Sequence, residues 1–114
     1  MKTIFQKIID REISADILYE DDDMICIRDK FPQAKVHVLL ISKKRIPSIF
    51  DMEEEDYALL MKMFRKIKDL VQQLNIVENY RIVINRGRHA GQTIFHFHIH
   101  LLGGERLHEN RMTH

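Results

Sequence analysis

Leu59, Leu60, Met63, Phe64, Ile67, Leu70, Val71 and Leu74 recur at steps of three and four, with mostly charged and amide residues between them. That period predicts a long amphipathic helix whose apolar stripe packs on a core. Asp51 and Glu54 are spaced as a capping box, with Asp in place of Ser or Thr, so the helix is expected to begin there. The acidic run "DMEEED" suits the positive end of the helix dipole and calls for no functional explanation. Asn75 is the expected stop. A shorter helical period at Ile4, Phe5, Ile8 and Ile9 predicts a first helix over residues 4–11.

The other segments alternate or run apolar. "DILYEDDDMICIRD" reads as a hairpin turning at Asp21, Asp22 and Asp23, with the three carboxylates as a solvated turn. "KVHVLLIS", residues 35–42, is β-branched and apolar and predicts a central strand. "YRIVIN", 80–85, and "TIFHFHIHLL", 93–102, predict a last hairpin joined by the loop "RGRHAGQ". One helix between strands favours an α+β antiparallel sheet of about five strands over a doubly wound parallel one. Residues 1–114 are read as one domain, with 105–114 as an irregular tail.

The last strand raises the chemical question. Side chains alternate across a strand, so His96, His98 and His100 share one face and Phe97, Ile99 and Leu101 the other. The apolar set is expected to pack on the long helix. Three imidazoles on the opposite face admit several readings. They are an accident of seven histidines in 114 residues; or two of them join His37 around a metal in a three-histidine hydrolase site; or they do nucleophilic chemistry on phosphorus. Same-face neighbours lie about 6.8 Å apart, and the outer pair about 13–14 Å, so three ligands from one strand are hard to converge. Neutral imidazole is a competent nucleophile toward phosphorus, and its reference pKa of about 6.5 leaves most of it neutral at pH 7. The loop "NRGRHAGQT" offers backbone N–H groups, with Gly87 and Gly91 allowing close approach to phosphate oxygens.

Composition narrows the partners. Eighteen basic against seventeen acidic residues argue against a nucleic-acid polymer. Cys26 is alone, so it forms no internal disulfide and reads as a buried small hydrophobe. No apolar run is long enough to span a bilayer, and the charged start does not read as a signal peptide, so a cytoplasmic protein is expected.

Taken with their flanks, these motifs resemble the histidine triad (HIT) nucleotide-binding family, in its Hint branch. "HFHIHLL" matches the family signature throughout, and "TIFQKIIDREI", "YEDDDMICIRDKFPQAKVHVLLISKKRI" and "YRIVINRGRHAGQTIFHFHIHLLGG" match its opening helix, its hairpin with nucleotide loop, and its catalytic hairpin. The resemblance implies a purine nucleoside phosphoramidase working without a cofactor, as a homodimer in which long helices and central strands meet. His98 resembles the nucleophile, His100 the proton donor to the leaving group, and His96 and His37 the supporting histidines. Asp29 resembles the ribose-binding carboxylate and Lys30 its neighbour at the nucleotide. Asn85, Gly91, Gln92 and Thr93 match the phosphate-binding stretch, and Ile4, Phe5, Ile8 and Ile13 the apolar purine pocket. Phe5 and Ile8 suit plain core equally well. Many bacterial relatives carry zinc ligands where this chain has Thr3, Gln6 and Arg45, so no metal is expected. A nucleotide-binding scaffold with incidental hydrolysis uses the same residues, and the natural leaving group is not legible.

Overall fold

The computed structural model describes residues 1–109. Its elements run α1 (Ile4–Ile9), β1 (Ile17–Glu20), β2 (Met24–Arg28), β3 (Val36–Ser42), α2 (Asp56–Gln73), β4 (Tyr80–Val83) and β5 (His98–Gly103). The strands form a five-stranded sheet in the order β1-β2-β3-β5-β4, with every neighbouring pair antiparallel. This is the expected α+β class, and β3 is the central strand. The chain reaches β4 from β3 through α2, and β5 then inserts between them.

The sheet buries both faces. On one face α2 packs Met63, Ile67, Leu70 and Val71 against Met24, Cys26, Val38, Leu40, Phe97, Ile99 and Leu101. Each such fully buried side chain contributes about 1.5–3 kcal/mol relative to exposure. Burial pushes the Cys26 thiol up to about 12, which makes it an inert core residue. On the other face α1 lays Phe5 and Ile8 over Ile25, Ile27, Leu39 and Ile41. The histidines share this second face, because His100 is paired with Leu39 and His98 with Ile41.

Several boundaries differ from expectation for identifiable reasons. The long helix starts at Asp56, not at Asp51, which instead ends a 3-10 turn over Ile49–Asp51. Met52 is buried in the core on an extended backbone, and that interrupts the helix. Asp56, the first residue of the helix, turns its carboxylate back: Oδ2 accepts the Glu53 N–H at 2.9 Å and Oδ1 accepts from Lys44 Nζ at 2.6 Å. Phe64, expected in the core stripe, is 39% exposed. Both helices close with the same motif. Asn75 takes a left-handed φ of 59°, with its N–H bonded to the Gln72 carbonyl and that of Ile76 to Val71. Arg11 does the same at φ 65°, which ends α1 at Ile9 rather than residue 11.

The turn after β1 is held by Asp21, whose Oδ1 accepts the N–H groups of Asp23 and Met24. β5 begins at His98, later than the alternation from residue 93 predicts. The Phe97 N–H bonds instead to the Ile46 carbonyl, so His96 stands just outside the ladder. Residues 105–109 contain no helix or strand, and 110–114 of the expected irregular tail lie outside the described residues. Among the described residues no helix is long and apolar enough to cross a membrane.

Candidate active site

Four histidines meet where β3 and β5 lie side by side. Their hydrogen-bond partners decide which ring nitrogen carries the proton. Nδ1 of His98 lies 2.7 Å from the carbonyl of His96. A carbonyl only accepts, so Nδ1 holds the proton and Nε2 holds the lone pair. His98 is half-buried, with the Phe5 ring set edge-on at 4.8 Å and the His100 ring at 5.0 Å between centroids. Burial holds its pKa below the ordinary value, against the opposing pull of the His96 carbonyl.

The second pair is polarised the other way. The Gln33 backbone N–H donates to His37 Nδ1 at 3.0 Å, which puts the His37 proton on Nε2. That Nε2–H donates to His100 Nδ1 at 3.0 Å, with Asp29 Oδ2 at 3.4 Å beside it. His100 Nδ1 is therefore an acceptor, and in the neutral ring the His100 proton sits on Nε2. Adjacent imidazoles on one strand thus carry opposite tautomers, His98 with a lone pair on Nε2 and His100 with a proton there.

His96 is buried and oriented from both sides. Its Nε2–H donates to the Ser42 carbonyl at 2.6 Å, and its Nδ1 faces the Thr3 hydroxyl at 3.3 Å. Desolvation lowers its pKa, opposed by the Ser42 carbonyl and helped by the charge of Arg45.

The remaining expected residues divide. Asp29 reaches the His37–His100 pair with Oδ2, while its Oδ1 accepts the Phe31 N–H at 2.8 Å. Lys30 is exposed beside it. Phe5 and Ile8 line the histidine face, whereas Ile4 and Ile13 are exposed and stand outside that cluster. Asn85 follows two residues after Val83, the partner of His100 in the sheet, and its Nδ2 is buried with no hydrogen-bond acceptor. Gly91 takes a left-handed φ of 99°, a conformation that favours glycine. Thr93 is exposed.

Gln92 is buried and hydrogen-bonded within the loop. Its Oε1 accepts the Gly87 N–H, its Nε2 donates to the carbonyls of Pro47 and Ile94, and its own N–H bonds to the Gly87 carbonyl. It braces the loop from inside and has no donor left for a phosphate.

The metal set drawn from His37, His96 and His98 does not converge, because both ring nitrogens of His96 face other partners. Among the described residues, the donor atoms that do approach are those of Asp29, His37 and His100, all within 4.8 Å. Nor do the residues at the relatives' zinc positions suit that ion. Thr3 is bonded to His96 and the Gln6 N–H, and Arg45 is a guanidinium donating to the Met1 carbonyl at 2.8 Å.

Two contributors carry no residue-level signal, because they act through the backbone: the Gln33 N–H and the Ser42 carbonyl. Thr3 does carry one. Thr3 and Gln6 are spaced as a helix capping box.

A family model described as scavenger mRNA decapping enzyme C-terminal binding matches residues 2–113. A purine nucleoside phosphoramidase of Escherichia coli strain K12 is 43% identical over 107 residues, covering 93% of this chain and 90% of that protein. The chain belongs to the histidine triad (HIT) superfamily. Among other HIT relatives, an uncharacterized HIT-like protein of Synechocystis is 51% identical over 102 residues, 90% of each chain. The HIT family hydrolase of Legionella pneumophila superposes with a TM-score of 0.92 at 38% identity, covering 95% of this chain and 97% of that one. That of Clostridium thermocellum gives 0.90 at 40% identity over 94% of each. The HIT fold and a hydrolase of this family are thereby established for the chain.

Proposed function

We propose that this chain hydrolyses purine nucleoside 5′-phosphoramidates, with adenosine favoured, and also acyl-adenylates, through a covalent nucleotidyl-His98 intermediate. The observation that carries the reading is the pair of opposite tautomers at His98 and His100. The lone pair of His98 Nε2 attacks the α-phosphorus as the P–N bond breaks. The departing amine takes the Nε2 proton of His100 in its imidazolium form, which leaves a neutral ring, because an amide anion is a very poor leaving group. Positive charge grows on the His98 ring during attack, and the His96 carbonyl at Nδ1 stabilises it. Water then attacks the same phosphorus, gives its proton to His100, and releases AMP and free His98.

Other residues fit supporting roles. The buried Nδ2 of Asn85 lacks an acceptor and would gain one in a phosphate oxygen. Asp29 and Lys30 would face the ribose, with Thr93 and the Gly91 turn at the phosphate. Phe5 and Ile8 would form the floor of the purine pocket, with Ile4 and Ile13 at its rim. The name of the Escherichia coli relative supports the P–N substrate class.

We infer a cytoplasmic homodimer. Tyr57, Met61 and Phe64 are exposed on α2, and Tyr80 and Ile82 on β4. The central strands β3 and β5 are paired on both sides, so the open edges of the sheet are those of β1 and β4, and the exposed Tyr80 and Ile82 favour the β4 side.

The test is His98→Asn. Turnover of an adenosine phosphoramidate should be lost while AMP binding, read by calorimetry, persists. Acid-quenched wild type should carry a nucleotidyl adduct on the peptide containing His98. Near-wild-type turnover in the variant would overturn the nucleophile assignment. Dialysis against EDTA should leave activity intact, and a loss restored by added metal would favour the ion reading at Asp29, His37 and His100.

A further inference from the structure

Thr3 is the N-cap of α1, with an extended backbone at φ −72° and ψ 166°, and its Oγ1 accepts the Gln6 N–H at 3.1 Å. The same oxygen lies 3.3 Å from His96 Nδ1, across 93 residues of sequence. The Ser42 carbonyl holds the His96 proton on Nε2, so Nδ1 accepts and the Thr3 hydroxyl donates. One short side chain therefore satisfies an orphan helix donor and an imidazole lone pair at once. The carbonyl of His96 is in turn the acceptor for His98 Nδ1–H. Two residues after Thr3, Phe5 sets its ring edge against His96 at 6.1 Å and His98 at 4.8 Å.

We propose that Thr3 is a positioning residue that fastens the first turn of α1 to His96, and through the His96 carbonyl fixes the ring orientation of His98. The polar link and the Phe5 contact together hold α1 at a set distance from the nucleophile. The inference deepens the reading of His98 as nucleophile and rests on it for its kinetic consequence. The hydroxyl is suited to the task because it is neutral. A carboxylate at this place would accept the Gln6 N–H equally well but could not donate to Nδ1, and it would favour the His96 imidazolium. The other groups facing His96 are the Ser42 carbonyl, the Phe5 ring, the His98 imidazole and the charge of Arg45.

Three variants separate these roles. Thr3→Ser keeps both bonds, Thr3→Asp keeps the cap without the donor, and Thr3→Val loses both. Thermal melts report the cap, kcat and KM for an adenosine phosphoramidate report positioning, and ring nitrogen shifts of His96 and His98 are read by NMR without substrate. Thr3→Ser should restore wild-type kcat and shifts. Thr3→Val should lower kcat about ten- to a hundredfold with KM nearly unchanged, and move the ring signals of both histidines. Thr3→Asp should melt like wild type, yet lose kcat similarly and titrate His96 at higher pH. Wild-type kcat and unmoved His98 signals in Thr3→Val, or an unmoved His96 titration in Thr3→Asp, would overturn the proposal. Should wild type turn over no phosphoramidate, the hydrolase reading fails, and the substrate-free ring shifts still decide the link.

Discussion

His37 Nε2 and His100 Nδ1 stand 3.0 Å apart across β3 and β5, on a diagonal of the antiparallel register. The bond runs from a ring whose tautomer is set by a backbone N–H into the ring placed to protonate the leaving group. His100→Gln should lose about 10²–10⁴ in kcat on a substrate with an amine leaving group. His37→Ala should lose less, because it acts through His100. The double variant should be no slower than His100→Gln alone, since residues acting as a unit are not additive. Single-turnover rates on the three variants check this, and multiplied losses would show that His37 acts independently of His100.

Burial lowers the pKa of His98, and the attacking form is neutral. The acid limb of kcat/KM should therefore fall below the ordinary histidine value of 6.5, with activity held as pH drops through 6.5. Stability follows with a definite sign. His96 and His98 both have folded pKa values below the unfolded 6.5, so the unfolded chain binds more protons between the two. Their contribution is complete above 6.5 and is lost as pH falls toward the folded values. A pH–rate profile and urea titrations at several pH values measure the two effects separately.

Gln92→Ala discriminates a loop brace from a phosphate ligand. The substitution leaves the Gly87 N–H and the Pro47 and Ile94 carbonyls without their amide partner. Unfolding by urea should show a loss of about 1–3 kcal/mol. A residue that only contacted substrate would raise KM and leave the unfolding midpoint alone.

Leu70 is 1% exposed on the inner side of α2, in the core that covers the sheet face opposite the histidines. Leu70→Ala should cost about 2–5 kcal/mol. The folded fraction should keep wild-type kcat, because the cavity opens on the far side of the sheet from the site. Denaturation followed by activity at low temperature tests both halves.

Much of this architecture is legible in local patterns. The period of α2 from Leu59 onward, the turn at Asp21 and the stop at Asn75 each follow from short-range chemistry, with Phe64 the member of the stripe left exposed. Local patterns fail where distant packing intervenes. Burial of Met52 breaks the helix that Asp51 and Glu54 would have capped. The Phe97 N–H finds the Ile46 carbonyl and not a sheet partner, so the alternation from residue 93 yields a strand only from His98.

The sequence by itself determined that His98 and His100 share a face and that Ile99 and Leu101 oppose them, since strand alternation needs no tertiary information. It also carried the family signature. Only the tertiary structure decided which nitrogen of each ring bears a proton. Those choices depend on the Gln33 N–H, the Ser42 carbonyl and the His96 carbonyl, backbone groups common to nearly every residue type and placed only by the folded chain. The same holds for the hydrogen bonds of Gln92 inside the loop, because a side chain's partners are settled by what packing brings within its reach.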